Sequence, residues 1–467
     1  MKHTRIPAVL LASFWISRAV AGGTTEFCLD GQLDLGARYQ GTNPEAGEFY
    51  PTTWCVVTEN GSNRVIFSGS GKSNPDMDGG WTVAYQPPDT VRLVNRESPP
   101  DVEFQGKNIL DEAMRVRRID PRRLLVEIES ASEIPSGMQV DVRDHQLSSV
   151  RMSADLPLRG RVDVEWEWDW TIPSNPGLRL MMDETLLFEA TGRWRDISNA
   201  EAAGLWNATP GATPVKLPGD EWPAKIDMQL VSLADGVYLV RGVRTGFQHL
   251  VIDTDEGLLV ADAPAGWVEF HHLPPSDLVP GLGVSGLSEK FIEFLNRKFP
   301  DRRIRAVAIT HFHDDHAGGA RAFAAAGATI FAPAESARFL QAALNRSVAS
   351  PDGLASRALE VVPVKSPMQI GRGAYRVKLL PMGEGPHANG MIGVWVVEQD
   401  YFFVSDVHVP RSEAGAPARE RAVTECWFAA WAVENLSKNV RVVNSHSTPV
   451  TPVDRLARYL DSAACFD

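Results

Sequence analysis

The sequence predicts a layered α/β domain preceded by an all-β domain, and three observations carry that expectation. Of the 467 residues, the first 21 have the make-up of a leader, and the remaining 446 amount to two or three ordinary domains. From about residue 30 to 205 apolar residues recur with period two, as in half-buried antiparallel strands. After about residue 224, short apolar strands alternate with stretches of helical spacing. Apolar residues make up 44% of the chain and charged residues 22%, enough for two cores and unlike a disordered chain.

The chain opens on Lys2, His3 and Arg5, followed by a mostly apolar run over residues 6–16 and then Ala19-Val20-Ala21. That is the plan of a signal peptide, and the run is shorter than the roughly 20 residues a membrane span needs. Without Lys2, Arg5 and Arg18 the formal charge moves from -13 to -16, a surface that repels nucleic acid. Cys28, Cys55, Cys426 and Cys465 all lie beyond the leader, two near each end. An even count in an oxidising compartment suggests disulfides, most simply within each end, and no C-x-x-C marks a redox motif or zinc knuckle. The expectation is a secreted or periplasmic protein without membrane insertion, acting on a small molecule.

In the β-rich part, residues 22–206, the clearest strand is 161–170. Val162, Val164, Trp166, Trp168 and Trp170 alternate there with Asp163, Glu165, Glu167 and Asp169, giving one aromatic and one acidic face. Residues 124–128 and 139–142 read the same way, and Asn60-Gly61 and Asp78-Gly79-Gly80 read as turns. A sandwich or barrel is expected, with the tryptophans on its core face. Pro210, Pro214, Pro218 and Pro223, with Gly211 and Gly219, mark a linker over 207–223.

The C-terminal part, 224–467, reads as strands at 237–240, 249–253 and 258–261, a helix at 287–298, and a buried strand at 304–309. A helix at 317–326, a strand at 328–332 and a helix at 334–344 follow. Strands at 377–380, 391–397 and 401–404, a helix at 419–437 and a strand at 440–443 come next. Thr451 is read as the N-cap of the last helix, with Pro452 at its first position and Asp454 at its third.

The chemistry lies in Thr310-His311-Phe312-His313-Asp314-Asp315-His316-Ala317-Gly318-Gly319, directly after the strand at 304–309. Extended backbone puts His311 and His313 on one side, and a turn into a helix brings Asp315 and His316 back toward the same cavity. Crowding three imidazoles and a carboxylate is costly unless a cation binds them, and neutral imidazole with carboxylate suits zinc. Gly318 and Gly319 let the next helix approach the sheet. His387, Asp406 and His446 each follow the C-terminal end of an apolar strand, the edge where α/β sheets hold ligands. Five histidines and two aspartates suffice for two metal ions.

This ordered set resembles the metallo-β-lactamase superfamily of metallohydrolases, over roughly residues 224–467. The resemblance implies an αββα sandwich with two Zn²⁺ per chain at one edge of its two sheets. It implies that His311, His313 and His387 hold one zinc, that Asp315, His316 and His446 hold the other, and that Asp406 bridges them. Asp262 matches an early aspartate that supports the histidine loop. The true β-lactamases of the best-known class have a cysteine where this chain has Asp406, so it is more similar to the glyoxalase II, lactonase and phosphodiesterase branches. Diiron redox members have a carboxylate where His313 stands, so the resemblance implies zinc and hydrolysis.

The expected activity is that of an exported zinc hydrolase, with a hydroxide bridging the metals and attacking an ester, lactone, thioester or related bond. Asp315 is the expected catalytic side chain. β-Lactamase activity and a secreted binding protein with a structural metal are the alternatives. A structural zinc closes its shell with four protein ligands, whereas seven shared by two ions leave open positions, which favours catalysis. His145, His249, His271, His272 and His408 read singly as non-ligands, and the loops at 265–287 and 412–418 as those that select the substrate.

Overall fold

The computed structural model describes residues 24–94, 138–203, 215–216, 228–264, 286–346, 358–410 and 421–465, less a few positions within these spans. The leader, the expected strand at 124–128, Asn60-Gly61, His145, His271, His272 and most of both substrate loops lie outside the described residues.

The N-terminal strands are β1 (Thr24–Asp34), β2 (Phe49–Glu59), β3 (Arg64–Asn74), β4 (Met77–Gln86), β5 (Thr90–Val94) and β6 (Met138–Arg143). They continue with β7 (Gln146–Leu156), β8 (Gly160–Asp169), β9 (Gly177–Met182), β10 (Thr185–Asp196) and the short β11 (Val215–Lys216). All eleven belong to one sheet, ordered β11-β5-β4-β3-β2-β1-β10-β9-β8-β7-β6, and every pairing is antiparallel. In β8, Val162 and Trp168 are buried while Asp163 and Asp169 are exposed, as the alternation requires. Asp78-Gly79-Gly80, read as a turn, instead lie inside β4, with Lys72, Gly71 and Ser70 of β3 opposite them. Pairing with a glycine-containing partner strand outweighs the local turn preference there. β11 falls within the segment read as a linker and pairs with β5.

The C-terminal half has the metallo-β-lactamase fold, two sheets face to face with helices outside. The first sheet comprises β12 (Gln229–Ala234), β13 (Val237–Arg241), β14 (Gln248–Thr254), β15 (Gly257–Ala261), β16 (Ile304–Ala308), β17 (Thr329–Pro333) and β18 (Val361–Val364), in that order. The second runs β19 (Met368–Ile370), β20 (Val377–Glu384), β21 (Asn389–Val396), β22 (Tyr401–Val404), β23 (Arg441–Asn444) and β24 (Thr451–Pro452). Helices α1 (Gly286–Lys298), α2 (Asp314–Ala317), α3 (Ala320–Ala325) and α4 (Ala334–Leu344) go with the first sheet, and α5 (Ala422–Asn435) and α6 (Val453–Leu456) with the second.

Alternation along the strands builds two cores. Val237, Leu239, Leu250, Ile252 and Leu259 meet Leu379, Ile392, Val394 and Phe403 between the sheets. The other faces pack on helices, as where Val251, Val260 and Val307 join Phe291, Leu295 and Phe323, and Phe402 stacks on Phe428 and Trp431 of α5. At one edge the sheets are tied by backbone: Gln248 N donates to Ser445 O at 2.7 Å, and Ile392 N to Thr310 O at 2.9 Å. The metal-ligand candidates lie at this edge.

The helix expected at 317–326 is two short helices, α2 and α3, separated by Gly318-Gly319. A Cβ on Gly319 would lie 2.1 Å from Ser288 Oγ and 2.3 Å from Pro264 O, so the close approach does depend on glycine. Thr451 does not cap the last helix. It pairs with Val442 in β24, and α6 starts after Pro452 with no side-chain cap, because the ladder bond holds Thr451 extended.

Candidate metal centre

Each candidate ligand sits just past the end of a strand. Residues His311 and His313 follow β16, and His313 is the N-cap of α2, so one helical turn brings Asp315 and His316 round to the same edge. His387 lies between β20 and β21, Asp406 after β22, and His446 after β23. These elements bring all seven together in two groups that share one residue. His311, His313, His387 and Asp406 form the first, and Asp315, His316, Asp406 and His446 the second, with the ligand atoms of each group within 4.8 Å of one another.

Asp406 divides its carboxylate between the groups. Oδ2 faces His387 Nε2 at 3.2 Å and His311 Nε2 at 4.0 Å, while Oδ1 faces His446 Nε2 at 2.7 Å and His316 Nε2 at 3.0 Å. His311 and His387 point their Nε2 atoms at each other, 3.2 Å apart. Six of the seven side chains are buried and His446 nearly so.

Outer partners fix the rings. His311 Nδ1 meets Ser405 Oγ at 3.1 Å and Thr310 Oγ1 at 3.2 Å. His316 Nδ1 meets Asp262 Oδ2 at 2.8 Å. A carboxylate only accepts, so His316 carries a proton on Nδ1 and turns its Nε2 toward Asp315 and Asp406. Asp262 Oδ1 also accepts from Thr310 N at 2.7 Å, so one buried carboxylate holds both ends of the histidine loop. Its φ of 65° lies in the left-handed region, which a non-glycine residue occupies only where its surroundings enforce it. His313 Nε2 meets Gly41 O, in the N-terminal part of the chain, at 2.9 Å.

The electrostatics are divided. Burial, with neighbouring imidazoles, holds His311 well below the usual histidine range and His313 down to about 4, so both are neutral near pH 7. Burial also disfavours charge on His316, but Asp406, Asp315 and Asp262 around it raise its pKa well above the ordinary value. Against burial, His316 and His446 hold the Asp406 carboxyl well below its usual range, and His316 does the same for Asp315. The neutral imidazoles of His311 and His313 beside ionised carboxylates are donors for a divalent cation. His313 Nδ1 is buried with no hydrogen-bond partner, which in an interior is costly and fits an atom reserved for metal.

Further residues that the sequence did not single out shape the site. Arg421 donates to the Asp406 carbonyl, and Glu425 accepts from Val409 N at 2.8 Å and meets His408 Nδ1 at 2.7 Å. Together they pin the segment that carries Asp406 onto α5. The buried ring of Phe247 stands edge-on to His446, 4.4 Å between centroids. His249 and His408 are buried side chains outside both groups. The cysteines pair as Cys28–Cys55, bridging β1 and β2, and Cys426–Cys465, tying α5 to the chain that follows α6.

Residues 285–425 match the profile of the metallo-β-lactamase superfamily. No curated protein shows significant similarity to the chain. Similar solved structures include a metallo-β-lactamase from Pontibacter korlensis, 17% identical with a TM-score of 0.35, covering 50% of this chain and 98% of its own. The FIM-1 enzyme from Pseudomonas aeruginosa in its mono-zinc form is 16% identical, with a TM-score of 0.34 and coverage of 52% and 98%. A metallo-β-lactamase from Hirschia baltica is 15% identical, with a TM-score of 0.33 and coverage of 50% and 95%.

Proposed function

We propose, from a C-terminal half with the metallo-β-lactamase fold and seven clustered ligands, that this protein is an exported, zinc-dependent hydrolase of a small-molecule ester, lactone, thioester or related bond. The observation that carries the proposal is the split carboxylate of Asp406, one oxygen toward each histidine group. A single closed structural site has no use for a shared ligand, whereas a hydrolytic pair needs one and leaves positions open for substrate. His311, His313 and His387 would hold one zinc, Asp315, His316 and His446 the other, and Asp406 both. Bound there, the pair supplies activated water at neutral pH and polarisation of the scissile oxygen.

The chain's own residues do the rest. Asp315 turns Oδ2 to His316 Nε2 at 3.3 Å and keeps Oδ1 free of hydrogen bonds, so that oxygen orients the attacking water and passes its proton to the leaving group. Asp262, Ser405 and Thr310 fix the rings that face the substrate, which limits reorganisation during the reaction. Phe247 walls the second group on one side and excludes water from it. The two disulfides support export through the leader at 1–21. The proposed organisation is a β domain at 22–206, a linker at 207–223 and the hydrolase domain at 224–467.

Elemental analysis of the purified chain tests the metal set, with about two zinc ions per molecule expected. The His311→Ala/His446→Ala double variant should lose them, and full retention would overturn the ligand assignment. A panel of ester, lactone, thioester, phosphodiester, sulfate-ester and β-lactam substrates then tests the activity. Chelator-sensitive turnover of one bond type is expected, and a fully zinc-loaded protein that cleaves none would support the binding-protein alternative instead.

A further inference from the structure

The loop joining β1 and β2 of the N-terminal domain reaches the first histidine group. Gly41 is buried, and its carbonyl accepts a hydrogen bond from His313 Nε2 at 2.9 Å across 272 residues of sequence. A carbonyl only accepts, so Nε2 must carry the proton, and this leaves the Nδ1 lone pair bare. That Nδ1 is buried and has no hydrogen-bond partner, and it belongs to the first group. The next residue in the loop makes a second bridge, with Asn389 N donating to Thr42 O at 2.6 Å, two residues beyond His387. The loop therefore touches the chain on both sides of this group.

The loop is braced from within its own domain. The Glu48 carboxylate accepts from Thr42 N at 2.9 and 3.0 Å, from Thr42 Oγ1 at 3.2 Å and from Tyr50 Oη at 3.0 Å. Buried Asp34 in turn accepts from Gly47 N at 2.6 Å and Glu48 N at 3.1 Å. A Cβ on Gly41 would stand 2.2 Å from Glu48 Oε2 and 2.9 Å from the Gly36 nitrogen, so only glycine fits where the carbonyl is presented. His311 and His316 take the partners described above from the C-terminal half, and His313 takes its partner from the N-terminal one.

We infer that the N-terminal β domain is a working part of the metal centre, with the Gly41 carbonyl setting the tautomer and orientation of His313 so that Nδ1 faces the ion. The inference rests on the metallohydrolase reading above. Loss of such an outer partner usually weakens metal binding about 10–100-fold. Glu48→Ala releases Thr42 and the Gly41 peptide, and Gly41→Ala displaces that peptide directly. Glu48→Gln keeps an oxygen for Thr42 N and Oγ1 and serves as the rescue.

The experiment uses the full-length chain, with zinc affinity measured by chelator competition and the His313 ring followed by nitrogen NMR of histidine-labelled protein. Wild type should show His313 protonated at Nε2. Both alanine variants should bind the zinc of the first group about 10–100-fold more weakly, with the His313 signal shifted, and Glu48→Gln should recover wild-type values. A folded Glu48→Ala or Gly41→Ala chain with wild-type affinity overturns the inference and leaves the function proposal standing. A His313 proton on Nδ1 in wild type overturns it whether or not the variants fold. A wild-type chain that binds no zinc would defeat the function proposal, and this inference with it.

Discussion

Asp315 and His249 are two buried side chains at this edge with opposite expected behaviour. Asp315 keeps Oδ1 free of hydrogen bonds, so Asp315→Asn should remove the proton-transfer role proposed for it while retaining its shape. Turnover is expected to fall roughly 10²–10⁴-fold at unchanged zinc content, read by paired rate and elemental measurements. Unchanged turnover at equal metal would show that the side chain is only a ligand. His249 bonds Ala261 O through Nδ1 at 3.2 Å and buries an unpartnered Nε2. Burial pushes its pKa down to about 3. An unfolded imidazole takes a proton below about pH 6.5, whereas the folded one refuses it until about pH 3. The unfolded state therefore binds more protons in that window, and His249 lowers stability progressively as pH falls through it. In metal-free protein, His249→Asn should flatten the fall in unfolding midpoint between pH 6.5 and 4. An identical pH dependence in the variant would rule out this contribution.

The turn from β16 into α2 and α3 decides whether the ligands converge. Gly319 N donates to Ala263 O at 2.9 Å, and its missing Cβ makes room for Ser288 and Pro264. Gly319→Ala should cost about 1–3 kcal/mol in chemical denaturation, as overpacking does, and loosen the support that Asp262 gives His316. An unchanged denaturation midpoint would show that the helices shift freely. This element was largely legible in the sequence, because histidines, aspartates and paired glycines declare their chemistry through side chains at fixed spacing. The convergence of His387, Asp406 and His446 was legible for the same reason, each lying past a strand whose apolar run is easily read. Gly41 was not, since it acts through a carbonyl that every residue possesses. Thr451 and Asp78-Gly79-Gly80 misled because their local preferences for cap and turn yield to ladder pairing with distant strands. β12 escaped notice because its exposed and half-buried positions follow no clean alternation.

For the whole molecule, the centre concentrates buried carboxylates and imidazoles that a bound cation would stabilise. Stripping the metals should therefore lower the melting temperature of the intact chain, and restoring zinc should recover it, with the shift growing as free zinc exceeds Kd. Equal melting of stripped and loaded protein would mean that the charged cluster is satisfied without metal. The wide separation of the contributing segments also sets a timetable. Gly41 is made early and His446 near the end, while β1 must wait for β10 before its outer edge is paired. A ribosome releases these parts in sequence, so no growing intermediate owns a complete centre. On the proposed ligand set, metal capture then becomes the closing event of folding, waiting until segments from both halves of the chain have met.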